Sequence, residues 1–88
     1  MTKSKEKAIP KWFKGTVYTK GGKVTNSFSG HSYELTAIEL SMYDFIMGSQ
    51  MMFEYAPKRV SQQQINDFHR GLTWFRSANI DAYYVLLD

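Results

Sequence analysis

His31 and His69 are the only histidines in the sequence, and they are the first place to look for acid–base or metal chemistry. A catalytic zinc site wants three protein ligands. Here there is no HxxxH or HxH spacing and no cysteine to complete a set. The two histidines therefore read as surface or hydrogen-bonded groups, and no metal site and no cofactor are expected. His31 is flanked by Ser29 and Ser32, so a Ser–His–acid arrangement can be drawn on paper. It lacks the GxSxG turn that exposes a nucleophile, and a small hairpin offers no evident oxyanion hole. The acids Glu39, Asp44, Glu54 and Asp67 fall on polar faces of the expected helices and read as solvated. Gly21-Gly22 lacks the context of a phosphate-binding loop and reads as a turn. No catalytic residue is assigned, and the chain is expected not to be an enzyme.

Two other groups of residues could bind rather than react. The first is Trp12, Lys14, Tyr18, Lys20 and Lys23, a basic run interleaved with aromatics. Lysines neutralise phosphates and rings stack on bases, which is the chemistry of a single-stranded nucleic-acid surface. The plain alternative is a solvated sheet face whose lysines deter edge-to-edge pairing. The second is Leu40, Tyr43, Met47 and Met51, with Met52 adjacent, at helical spacing. Methionine adapts to irregular partners and recurs at binding surfaces. The plain alternative is core. Trp74 is a further anchor of the type enriched at interaction hot spots, unless it packs under the C-terminal tail.

The elements that must position these residues follow from turn and capping signals. Residues 1–10 form a basic arm ending at Pro10, and residues 11–88 form one globular domain. Residues 12–29 read as a β-hairpin around a Gly21-Gly22 loop, because glycine accepts the positive φ of primed turns. That loop sets Lys20 opposite Lys23, Val17 opposite Asn26 and Gly15 opposite Phe28. Phe13, Val17, Val24 and Phe28 then face the core, and residues 30–35 connect to a helix. Thr36 with Glu39, and Ser61 with Gln64, are capping boxes. They predict a helix from about Ala37 to Tyr55, stopped before Pro57, and one that the Ser61 box opens and that runs to about Ala78, with Asn79 beyond the end. The first helix has two apolar stripes, Ile38, Met42, Phe45, Ile46, Met52 and Phe53 being one and Leu40, Tyr43, Met47 and Met51 the other. The second helix has Ile65, Phe68, Leu72 and Phe75 on its core stripe, with Gly71 beside it permitting close approach. The tail Ala82–Leu87 is apolar and buried as either a strand or a helix capped by Asp81; periodicity does not decide between them. The fold class is α+β: an N-terminal β-hairpin packed on two antiparallel helices with a short buried C-terminal segment.

Composition bounds the class. An 88-residue chain with 43% hydrophobic and 16% aromatic residues makes one domain and is not disordered in bulk. The absence of cysteine excludes disulfides, thiolate metal sites and cysteine nucleophiles. It also favours an intracellular, cytoplasmic home. No apolar run reaches the roughly 18–20 residues of a membrane span, and the lysine-rich start lacks the apolar stretch of a signal peptide. Net charge is +3, divided into +6 over residues 1–23 and −3 over residues 24–88. Such polarity suggests an anionic partner for the basic front.

The stretches Ser29-Gly-His-Ser-Tyr-Glu-Leu-Thr36, Glu39-Leu-Ser-Met-Tyr-Asp-Phe45 and Leu72-Thr-Trp-Phe-Arg76 resemble small uncharacterised proteins carried by marine cyanophages. The resemblance implies a virus-encoded protein acting inside an infected cell and assigns no residue a role. The expected function is that of a small non-enzymatic binding or accessory protein, acting by contact with another protein or as a homodimer through Leu40, Tyr43, Met47, Met51 and Trp74. The alternative is a single-stranded nucleic-acid-binding module using Trp12, Lys14, Tyr18, Lys20, Lys23 and the arm.

Overall fold

Both capping boxes form, and each starts a helix at the expected residue. In the computed structural model, which describes residues 8–87, α1 spans Ala37–Tyr55 and α2 spans Gln62–Ala78. Thr36 Oγ1 accepts from the Glu39 N–H while Glu39 Oε1 accepts from the Thr36 N–H. Ser61 and Gln64 repeat the exchange. α1 stops at Ala56 before Pro57, and a single 3₁₀ turn, Pro57–Arg59, reverses the chain. The helices run antiparallel. Phe53 meets Phe68 at one end, their ring centroids 5.0 Å apart. At the other end a Cβ on Gly71 would sit 3.3 Å from both Ile46 and Met42, so the missing side chain lets the helices close.

The strands are not where the Gly-Gly pair suggests. β1 is Gly22–Thr25 and pairs antiparallel with β2, Ser32–Leu35, in the register Gly22↔Leu35, Lys23↔Glu34, Val24↔Tyr33 and Thr25↔Ser32. The turn is Ser27–Gly30. Asn26 Oδ1 accepts from the N–H groups of Phe28 and Ser29, its carbonyl accepts from the Gly30 N–H, and Gly30 takes the left-handed φ of 81°. An asparagine side chain that mimics a backbone turn, followed by a left-handed glycine, outcompetes the Gly-Gly pair. Gly21 is glycine for another reason: a Cβ there would collide with the Leu35 carbonyl, so the backbone approaches closely where the strand begins. Lys20 therefore does not face Lys23; Lys23 faces Glu34, an opposite-charge pair. Residues 30–35 are a strand and turn rather than a connection. Gly22, Val24, Tyr33 and Leu35 face inward, and Lys23, Thr25, Ser32 and Glu34 face solvent.

Residues 10–21 form an irregular strap across α1 rather than a strand. Trp12 and Phe13 pack their rings against Phe45, with centroids 5.9 and 5.5 Å away. The Tyr18 N–H donates to Ser41 Oγ at 2.8 Å, and that hydroxyl donates to the Ala37 carbonyl at 2.7 Å. Ser41 is fully buried.

The tail resolves as a helix, α3, Ile80–Leu86, capped by Asn79 rather than Asp81. Asn79 Oδ1 accepts from the Ala82 N–H, and its Nδ2 donates to Glu39 Oε2 at 3.2 Å, which ties the start of α3 to the start of α1. Glu39 is thus buried, as is Asp67, which accepts from Gln63 Nε2 and lies 3.6 Å from the Arg70 guanidinium. Neither acid is the solvated group its position suggests. Asn26 Nδ2 donates to the Val85 carbonyl and ties the hairpin to α3. Leu35, Met42, Ile46, Phe75, Ala82 and Leu86 form the buried centre. The fold is α+β, a hairpin on antiparallel helices with a short C-terminal helix. Residues 1–7 of the expected arm lie outside the described residues. Ala8 lies against α2, its carbonyl accepting from Trp74 Nε1.

Candidate functional site

The Asn26 turn that sets the hairpin register also places Phe28 at its tip, where the side chain is 99% exposed. Sequence patterning put this residue in the core, and the shift of register takes it out. Beside it lies a groove of about 410 Å³ lined by Thr25, Asn26, Ser27, Phe28, Tyr43, Met47, Gln50, Leu86 and Leu87. Hairpin loop, α1 and the end of α3 each contribute one wall. None of these lining side chains carries a charge, so covering them desolvates no ion among the described residues.

The second α1 stripe divides along its length. Leu40 and Tyr43 are half-buried and pack against the core. The Tyr43 ring lies 6.3 Å from that of Phe75, and burial raises its phenol above the usual value. Met47 and Met51 are 38% and 61% exposed. The division has a physical cause: the start of the stripe packs against the core around Phe75, and Met47 and Met51 lie beyond that core. The four residues thus form one continuous apolar band from core to surface, and the groove opens at its middle. Trp74 does not join it. It lies on α2, half-buried, with its indole N–H bound to Ala8, and not under the tail.

The basic and aromatic group of residues 12–23 is spread along the strap. Trp12 packs on Phe45. Lys14 lines a different hollow, with Asp44 and Asp67. Tyr18 lies beside Asp44, whose negative charge is the main reason its phenol is raised from the usual value. Lys20 is on the exposed approach to β1, and only Lys23 is on a strand. They do not form one hairpin face.

Among the remaining candidates, His31 lies on the hairpin loop, its N–H donating to Ser29 Oγ, and Ser32 Oγ pairs with Thr25 Oγ1. His69 is on α2, its ring 5.5 Å from that of Phe68. Among the described residues no group of three or more His, Cys, Asp or Glu gathers to hold a metal ion, and no helix is long and apolar enough to cross a membrane. Phe28 and Leu87 are the site residues that sequence reasoning missed. The Asn26…Gly30 turn signal could have found the first. No family model, curated protein or solved structure matches the chain.

Proposed function

We propose that this chain is a non-enzymatic binding protein that works by self-association, each copy seating its Phe28 in the groove of the other. The observation that carries the reading is a fully exposed phenylalanine beside a groove of mixed polar and apolar lining, none of whose lining side chains is charged. A knob next to a hole is self-complementary under a twofold axis, where each copy gives and receives the same contact. Met47 lines the hole and adapts to what enters it. Nine large apolar side chains are exposed among the described residues, against six buried in the core. Exposed apolar side chains gathered on one surface, as Phe28 and Met47 are around this groove, mark an interaction site. The resemblance to small cyanophage proteins would place the assembly in the cytoplasm of an infected cell.

Molar mass by light scattering over a concentration series tests this. A dimer is expected, insensitive to salt because the groove is uncharged. Phe28→Asp and Met47→Glu should each give a monomer with unchanged far-ultraviolet circular dichroism. A wild-type monomer at high concentration overturns the reading. So does a Met47→Glu variant that unfolds together with a Phe28→Asp variant that still dimerises.

A further inference from the structure

We propose that a second hollow, between the start of the strap and α2, binds single-stranded nucleic acid, taking a base against Trp12 and Trp74 and phosphates on Lys11 and Arg70. The hollow has a volume of about 400 Å³ and is lined by Trp12, His69, Arg70, Thr73 and Trp74. It brings together both tryptophans of the chain, which lie far apart in sequence. This is a different surface from the hairpin face read in the sequence, and it shares only Trp12 with it.

The chemistry on offer is rings and cations. The Trp74 N–H is already engaged by the Ala8 carbonyl at 3.3 Å, so what that side chain has left for a ligand is its ring. Trp12 is braced by Phe13 and Phe45, which fixes its orientation in advance. Base–aromatic stacking is sequence-tolerant because every base has a π-face. Arg70 is exposed along its side chain and, among the described residues, has a single ion pair, to Asp67 at 3.6 Å. A guanidinium has five N–H donors, so most remain for a phosphate. Lys11 is exposed next to Trp12, and no acid lines the hollow. An acidic peptide could use the cations but would leave two indole rings without a role, which is why a nucleic acid fits better.

The test is fluorescence anisotropy of a dye-labelled oligothymidylate, with labelled polyglutamate in parallel and salt varied. The oligothymidylate should bind and be released as salt rises. Trp12→Leu and Arg70→Ser should each weaken it roughly ten-fold, within the range measured for loss of a stacking ring or a phosphate contact. Thr73→Glu, an exposed change that places a negative charge in the hollow, should abolish binding with the fold intact by circular dichroism, and it decides the matter if Trp12→Leu does not fold. Met47→Glu should leave this affinity unchanged, which separates the hollow from self-association. The proposal is overturned by no binding at low salt or by equal affinity for polyglutamate, which would make the partner an acidic polypeptide. It is also overturned by indifference to Thr73→Glu, or by loss of binding on changing Lys20 and Lys23 instead.

Discussion

Gly21 shows how one residue type can be right for the wrong reason. A glycine pair between two β-like runs signals a tight turn, yet here the first glycine is needed because its backbone lies against the Leu35 carbonyl. Gly21→Ala should therefore destabilise the fold by about 1–3 kcal/mol, as over-packing does, read as a lower midpoint of urea unfolding. The same change in a flexible turn with φ below zero would cost little. Two tyrosines set the alkaline limit. Tyr43 is raised by burial and Tyr18 by the Asp44 carboxylate, so both stay neutral in the fold at a pH where the unfolded chain has begun to ionise. The folded state then holds more protons than the unfolded one above the ordinary value of 10.0. Stability should be level through neutral pH and fall as pH rises past that value. Tyr43→Phe should make the fall shallower in a pH series of unfolding curves.

The helices were legible almost to the residue, and the hairpin was not. Capping boxes are local: Thr36 with Glu39 and Ser61 with Gln64 satisfy each other's backbone groups wherever the rest of the chain goes. Strand register depends on which of two competing turns wins, and it flips every side chain when it slips by one residue. Two signals were present, Gly21-Gly22 and Asn26…Gly30, and only tertiary contact separates them: Asn26 also donates to the Val85 carbonyl. The exposed half of the Met stripe was visible as a stripe but not as a surface, since Tyr43 packs towards Phe75 while Met51 lies clear of the core. α3 itself is too short to stand alone, being seven residues long. It depends on Asn79, which caps it and reaches Glu39. Asn79→Ala should cost about 1–2 kcal/mol, the usual worth of a cap. The loss should appear first as faster hydrogen exchange in residues 82–86, ahead of α1 and α2.

At the scale of the whole molecule, a centre of six buried apolar side chains among the described residues is small, and small domains are marginal. Self-association through the Phe28 groove would couple folding to assembly. The melting temperature should then rise with protein concentration in the wild type and become independent of it in Phe28→Asp, measured by calorimetry. A flat wild-type series would mean that the groove contributes nothing to stability.

The pairing of both indoles at the junction of strap and α2 has a consequence for how this protein is observed. Its tryptophan emission comes from one place, where residues 8–12 meet Trp74, and not from the centre around Phe75 and Ile46. Ultraviolet-excited fluorescence therefore follows the docking of the strap, while far-ultraviolet dichroism follows the helices. Coincident transitions would make strap and helices one cooperative unit. An earlier change in emission would mean that the front of the chain peels from an intact helical body, a partly opened form that a single-probe melt would record as unfolding.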